Sequence, residues 1–503
     1  MKRVFYALTF CAALLLISTT VFAAEPNNTA DSIEYYTFAE IFPDANFREY
    51  VTDTVLADST DSKADDAALT AEQLDRISTY SWVNVSSREI KSLDGIEWFT
   101  GLKELDCYNN QLTSLDVSNN PLLEYLHCGN NHLTTLNVNS NPLLKTLWCG
   151  GNQLTALDVS NHPKLIRLDC NGVYIADKDG NMVNTSQLST LNASNNPSLE
   201  FLWCSDNRLT TLNVSNAPAL TELHCQGNKL TALDISTSPA LTELWCYNNY
   251  LSTVNVINNP MLTTLHCGNN PLTELDVSSN TALTYLDCSG GREYIEENNV
   301  SVISQLTTLN VSNNPALEHL DCYNNQLTAL DVSKNTQLKD LGCQSNHLTS
   351  LDLSHQAGFE SLYCEDNHFL LTSNAAQLDL STFPGTFDVT KASEWTYAHI
   401  TNGTTLEIPS CATSITYKYD MGNGYSEIFT LEKDPAGTVP HSFGEWVTTI
   451  PATTTTDGEE QRICSVCGYK ETRIIPATGN NGGGNSGGGG GSSSPAVKPA
   501  GTT

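Results

Sequence analysis

Twelve cysteines recur at Cys107, Cys128, Cys149, Cys170, Cys204, Cys225, Cys246, Cys267, Cys288, Cys322, Cys343 and Cys364, mostly 21 residues apart with two intervals of 34. Thiols at a fixed spacing can pair as disulfides, hold a metal, or pack as small apolar groups. The residue before each cysteine forms a second column: Asp106, His127, Trp148, Asp169, Trp203, His224, Trp245, His266, Asp287, Asp321, Gly342 and Tyr363. The residue after it adds Tyr108, Tyr247 and Tyr323. Imidazole and carboxylate on neighbouring repeats are the materials of proton transfer. A row of Trp, Tyr and His is the material of a recognition surface. A third set, His441, Cys464 and Cys467, has the residue types and the Cys-x-x-Cys spacing of zinc ligands.

These residues need elements that repeat as they do. With each cysteine as position 0, leucines recur at −5, −2, +5 and +8 and Asn at +3. Asp or Asn followed by Val or Ile and Ser stands at +9 to +11, and Asn-Pro often at +13 and +14. One such repeat cannot bury its own leucines, so repeats must stack and share a core. Alternation around Leu-x-Cys is a strand period, with Leu and Cys inward and their neighbours outward. The +3 Asn falls where the strand turns away, and its amide can satisfy backbone groups of adjacent turns.

The pattern L-x-x-L-x-C-x-x-N-x-L resembles the leucine-rich repeat with Cys at the third Leu position. Its short period and cysteine column look like the internalin-type repeats of bacterial surface proteins, over roughly residues 83–381. The resemblance implies a mainly β, curved solenoid of about 13 rungs, with strands on a concave face and compact non-helical segments on the convex one. It also implies binding to a host or neighbouring-cell ligand.

In such a stack, equivalent side chains run parallel about 4.8 Å apart, which is poor disulfide geometry. The expectation is a ladder of reduced, buried thiols. The alternatives are the disulfide framework usual in secreted chains and a stacked metal site.

Lys2 and Arg3, the apolar run to Ile17 and Val21-Phe22-Ala23 read as a signal peptide, residues 1–23, which places the protein outside the cell. The remainder carries 22 Lys plus Arg against 56 Asp plus Glu, a charge of about −34. This argues against nucleic acid or an anionic membrane surface as partner. No later apolar run is long enough for a transmembrane segment.

Residues 24–82 are expected to form a small helical N-terminal cap, with helical spacing in "IFPDANFREYV" and "LTAEQLDRI", and Val85 marks a first rung without cysteine. The cap segment "DSTDSKADDAALTAEQ" lacks a loop Gly and puts Gln73 where calcium would need a bidentate Glu. The solenoid spans 83–384, with inserts near 171–187 and 289–305 that form two lips on one edge. In the first insert, Asp177-Lys178-Asp179 reads as an ordinary turn rather than a calcium loop, and Asp179-Gly180 as a hairpin turn.

Residues 385–433 alternate as a small β module. Residues 434–478 resemble a Cys-x-x-Cys-Gly module of extracellular proteins of Gram-positive anaerobes; where such modules carry another cysteine and a closing His, this chain has Thr454 and Asn480. Three ligands are one short of a closed zinc site, so zinc, a disulfide and a free dithiol stay open, and no other cofactor is expected. Residues 479–503 read as a Gly/Ser-rich disordered spacer.

The expected function is non-enzymatic, adhesin-like binding of an extracellular protein by a monomer. The ligand face is Trp148, Trp203, Trp245, Tyr247, Asp169, His224, His266, His127, Tyr108, Tyr323 and Tyr363. A glycan ligand and a wall spacer without specific ligand are the other readings. Asp–His neighbours such as Asp106 and His127 lack an orienting nucleophile partner in the sequence, which speaks against catalysis.

Overall fold

A computed structural model describes residues 36–176, 178, 180, 182–291, 305–371, 376–433 and 440–477. The expected signal peptide, Asp177, Asp179, most of the second insert, Asn480 and the Gly/Ser tail lie outside them. The chain divides into two compact units, Met1–Gln305 and Leu306–Thr503.

In the first unit the strands are only three residues long, because only Leu-x-Cys and its predecessor alternate before the Asn-bearing turn. Ten of them pair in parallel and in register, from Trp82–Asn84 and Glu104–Asp106 to Thr264–His266 and Tyr285–Asp287. The second unit holds three more, His319–Asp321, Asp340–Gly342 and Ser361–Tyr363. These are the thirteen rungs expected from twelve cysteines plus Val85, whose N–H donates to the Asp106 carbonyl as a cysteine's would. The chain thus builds a leucine-rich-repeat solenoid.

The core is the leucine columns and the cysteine column. Leu105, Leu126, Leu223, Leu244 and Leu320, like Cys107, Cys128, Cys246 and Cys322, are fully buried. All twelve ladder cysteines are buried, and none is joined in a disulfide. Burial raises the thiols of Cys128, Cys204, Cys246 and Cys343, and that of Cys225 up to about 12.

Two amide ladders stitch rung to rung. Asn249 Oδ1 accepts the Leu230 N–H at 3.0 Å, while Nδ2 donates to the Cys225 and Cys246 carbonyls at 3.0 and 3.1 Å. Asn131 and Asn346 repeat the pattern. A buried carbonyl left without a donor is costly, so one side chain satisfies three backbone groups from two rungs. The +13 Asn uses only its donors on the far side: Asn141 Nδ2 donates to the Val117 and Asn120 carbonyls at 3.0 and 2.9 Å, while its buried Oδ1 accepts nothing. His162 takes that place in its own rung, its ring nitrogens each 3.0 Å from a carbonyl, of Val159 and of Val138.

Position +2 turns left-handed, with φ of 54° at Asn109, 55° at Asn248 and 67° at Gly227. Asn, Asp and Gly tolerate this region best, which accounts for their recurrence there. The Asp-Val-Ser segments are Asx turns, as where Asp116 Oδ1 accepts the Ser118 N–H at 2.9 Å.

The N-terminal cap has helices Phe38–Ile41, Ala45–Tyr50 and Ala71–Thr79, the second running into a wider turn at Val51–Val55. Thr37 with Glu40 and Thr70 with Gln73 form capping boxes. Gln73 is buried and also donates to the Ser62 carbonyl, so it works as a cap. The first insert is a hairpin, Tyr174–Ala176 against Met182–Asn184.

In the second unit, His368–Leu371 pairs in parallel with Tyr425–Lys433, which pairs antiparallel with Ser414–Gly422. Tyr417 Oη donates to the Thr349 carbonyl at 2.5 Å and Asn423 Nδ2 to the Leu353 carbonyl at 2.7 Å. The hairpin thereby closes the last rungs. Strands Val447–Ile450, Gly458–Ile463 and Lys470–Ile475 form a separate three-stranded meander.

Candidate functional site

Register decides what meets on the outward face of the sheet. In-register pairing puts Trp148 beside Asp169, Asp169 beside Trp203, Trp203 beside His224, His224 beside Trp245, and Trp245 beside His266. The three tryptophans do occupy alternate rungs.

The side chains make two aromatic runs in the first unit. In one, Tyr108 stacks on His127 at 4.6 Å between centroids, and His127 meets Trp148 edge-on at 5.1 Å. In the other, Trp203, His224, Trp245 and His266 follow in sequence at 6.3, 4.3 and 5.1 Å, and Tyr247 flanks Trp245 and His266. Tyr323 and Tyr363 belong to the second unit, and Tyr363 is exposed.

A column that sequence reasoning passed over completes the face. Residues three before each cysteine share a face with those one before, by the same alternation. They contribute Tyr125 against Trp148, Phe201 against Trp203, and Tyr285 against His266 at 4.3 Å. They also bring charge. The Arg167 guanidinium lies 4.7 Å from the Phe201 ring centroid, in cation–π range. Trp203 Nε1 donates to Glu222 Oε1 at 2.8 Å, and His224 Nε2 lies 3.2 Å from carboxylate oxygens of both Glu222 and Glu243.

The three Trp side chains are half-buried among neighbouring rings, and His224 stacks face to face on Trp245. The indole N–H groups of Trp148 and Trp245 are buried with no acceptor. Between the two runs sits Asp169, whose carboxyl is raised by burial, against the Asn171 N–H and His127 that favour its charge. Burial lowers the His127 imidazole, with Asp106, 3.5 Å away, and Asp169 pulling it back.

A second cluster forms in the other unit. His441, Cys464 and Cys467 come together, and a fourth group joins them: Cys411, from the turn between Thr405–Glu407 and Ser414–Gly422. The four ligand atoms all lie within 4.8 Å of one another. Cys411 Sγ is 3.6 Å from Cys464 Sγ, and Cys467 Sγ is 3.3 Å from His441 Nδ1. The three cysteines are buried, and His441 stacks on Tyr469 at 4.7 Å and 14°. Burial pushes the Cys464 thiol up, but N–H groups of Cys467 and Val466, then His441 and Cys411, bring it down to about 6. Burial and the neighbouring Cys467 and Cys464 push Cys411 up to about 12. Nothing in the local sequence pointed to Cys411; it lies 53 residues before Cys464.

No protein-family model matches this chain, and no curated protein matches it. Solved structures do. The functional domain of InlJ from Listeria monocytogenes, described as including a cysteine ladder, is 28% identical over 81% of this chain and 100% of its own, with a TM-score of 0.40. An internalin (inlF) from Listeria monocytogenes is 23% identical over 64% and 87%, with a TM-score of 0.48. YopM from Yersinia enterocolitica is 26% identical over 57% and 55%, with a TM-score of 0.43.

Proposed function

We propose that the chain is exported and works outside the cell as a non-enzymatic, adhesin-like recognition protein. Its ligand site is the outward sheet face centred on Trp203, His224 and Trp245. The observation that carries this reading is the unbroken run of ring contacts from Phe201 to Tyr285, flanked by Glu222, Glu243 and Arg167. A face selected only for solubility would not spend its aromatic residues in one row.

The stacking favours a protein ligand over a glycan. A sugar ring needs an open aromatic face, whereas His224 covers Trp245 with planes 16° apart. The half-buried ring row with carboxylates beside it suits an extended polypeptide with basic and apolar side chains. The buried N–H groups of Trp148 and Trp245 are donors without an acceptor.

The test is binding of the chain from residue 24 to solubilised host-surface proteins and to a glycan array. Trp203→Ala and Trp245→Ala should each weaken capture of a protein partner at least about tenfold. Capture equal to the parent's by both variants, or binding to glycans alone, would refute the reading.

A further inference from the structure

We propose that Cys411, His441, Cys464 and Cys467 form a closed, structural zinc site that joins the Cys-x-x-Cys module to the β module before it. This inference is independent of the binding face.

The geometry points to a tetrahedral ion. Zinc holds thiolate sulfur at about 2.3 Å and imidazole nitrogen at about 2.0–2.1 Å. A tetrahedron of those radii has edges of about 3.5–3.8 Å, close to the 3.6 Å between Cys411 and Cys464 and near the 3.3 Å between Cys467 and His441. Three thiols and an imidazole lie within 4.8 Å of one another, with every sulfur buried.

The turn around the pair is built to hold thiolates. Gly468 takes a left-handed φ of 77°, and its N–H donates to the Cys464 carbonyl at 2.9 Å. That turn brings the Tyr469 N–H to 3.5 Å from Cys467 Sγ. Backbone N–H groups directed at sulfur favour the charged form that a metal requires. The Tyr469 ring also backs the imidazole and fixes its plane. With four protein ligands no coordination position is open, so the site is structural rather than catalytic.

Cys411 makes the difference. Without it, two sulfurs and one nitrogen leave an open fourth place. With it, the ion ties the turn after Thr405–Glu407 to the meander of Val447–Ile450, Gly458–Ile463 and Lys470–Ile475. Binding would release the thiol protons and add its free energy to the docking of the two modules.

The experiment uses the whole mature chain, purified without chelator and under reductant-free, oxygen-free conditions. Elemental analysis should find about one zinc per chain, and Co²⁺ in its place should give the absorption of a tetrahedral three-sulfur, one-nitrogen site. Cys411→Ser should weaken zinc binding by more than about a hundredfold, beyond what loss of a supporting contact does. Cys411→His, which returns a fourth ligand, should restore it. Cys246→Ser, in the ladder, should leave zinc content unchanged. Parent-like zinc affinity in Cys411→Ser would overturn the proposal, as would a mapped disulfide among Cys411, Cys464 and Cys467 in a zinc-free parent. Zinc that persists in Cys411→Ser but leaves with Glu243→Gln would place the ion on the sheet face instead, and overturn it equally.

Discussion

The His224 imidazole lies against the Trp245 indole with ring centroids 4.3 Å apart and planes 16° apart. These residues are outward neighbours on adjacent rungs, and stacking makes each part of the other's support. A face built this way cannot be edited for binding without some effect on stability.

Trp245→Ala should therefore lower stability by about 1–2 kcal/mol, from lost stacking against His224 and His266 partly offset by removal of an unpaired N–H. Leu244→Ala, one residue away and fully buried, should cost about 2–5 kcal/mol while sparing ligand contacts. Chemical denaturation of both variants, run beside the binding assay, checks the pair. A Trp245 variant as destabilised as the Leu244 variant would make the aromatic run a structural element first.

The amide ladder should matter more than the thiol ladder. Cys246→Ser buries a hydroxyl in an apolar column and should cost about 1–3 kcal/mol. Asn249→Ala orphans the Leu230 N–H and takes a donor from the Cys225 and Cys246 carbonyls, at about 1–3 kcal/mol for each group left unmet. Urea midpoints ordered the other way would show that the turn re-satisfies its own backbone.

Thiol counting should find the ladder cysteines from Cys107 to Cys364 reduced and unreactive in the folded chain, and all titrating with a thiol reagent after denaturation without reductant. Burial keeps them as thiols, whereas the thiolate is the reactive form. Cross-rung disulfides in the purified protein would contradict the parallel geometry.

Two histidines should give opposite pH dependences. His319 is raised chiefly by its hydrogen bond with Asp321, 2.8 Å away, against burial and with help from Asp340. Its folded value exceeds its unfolded one, so its stabilisation is full below about pH 6.5 and is lost as pH rises through the folded value. His127 is lowered by burial, so its contribution is present above about pH 6.5 and lost as pH falls through the folded value. Stability measured against pH should flatten on the alkaline side for His319→Gln and on the acid side for His127→Gln.

Sequence alone determined the rung register, the inward leucines and cysteines, and the outward −1 column, because a three-residue strand leaves no freedom in which side chains alternate. The 21-residue period repeats each side chain's environment, so one rung's chemistry could be read from all. What it could not carry was distance. Tyr285, Glu222 and Glu243 matter because register lays one rung's third-preceding residue beside the preceding rung's ring, and Phe201 because it packs on Trp203 of its own rung. Cys411 matters because the chain folds back across 53 residues to meet Cys464. A period fixes neighbours that repeat; a contact made once, between elements of different kinds, exists only when tertiary packing closes it.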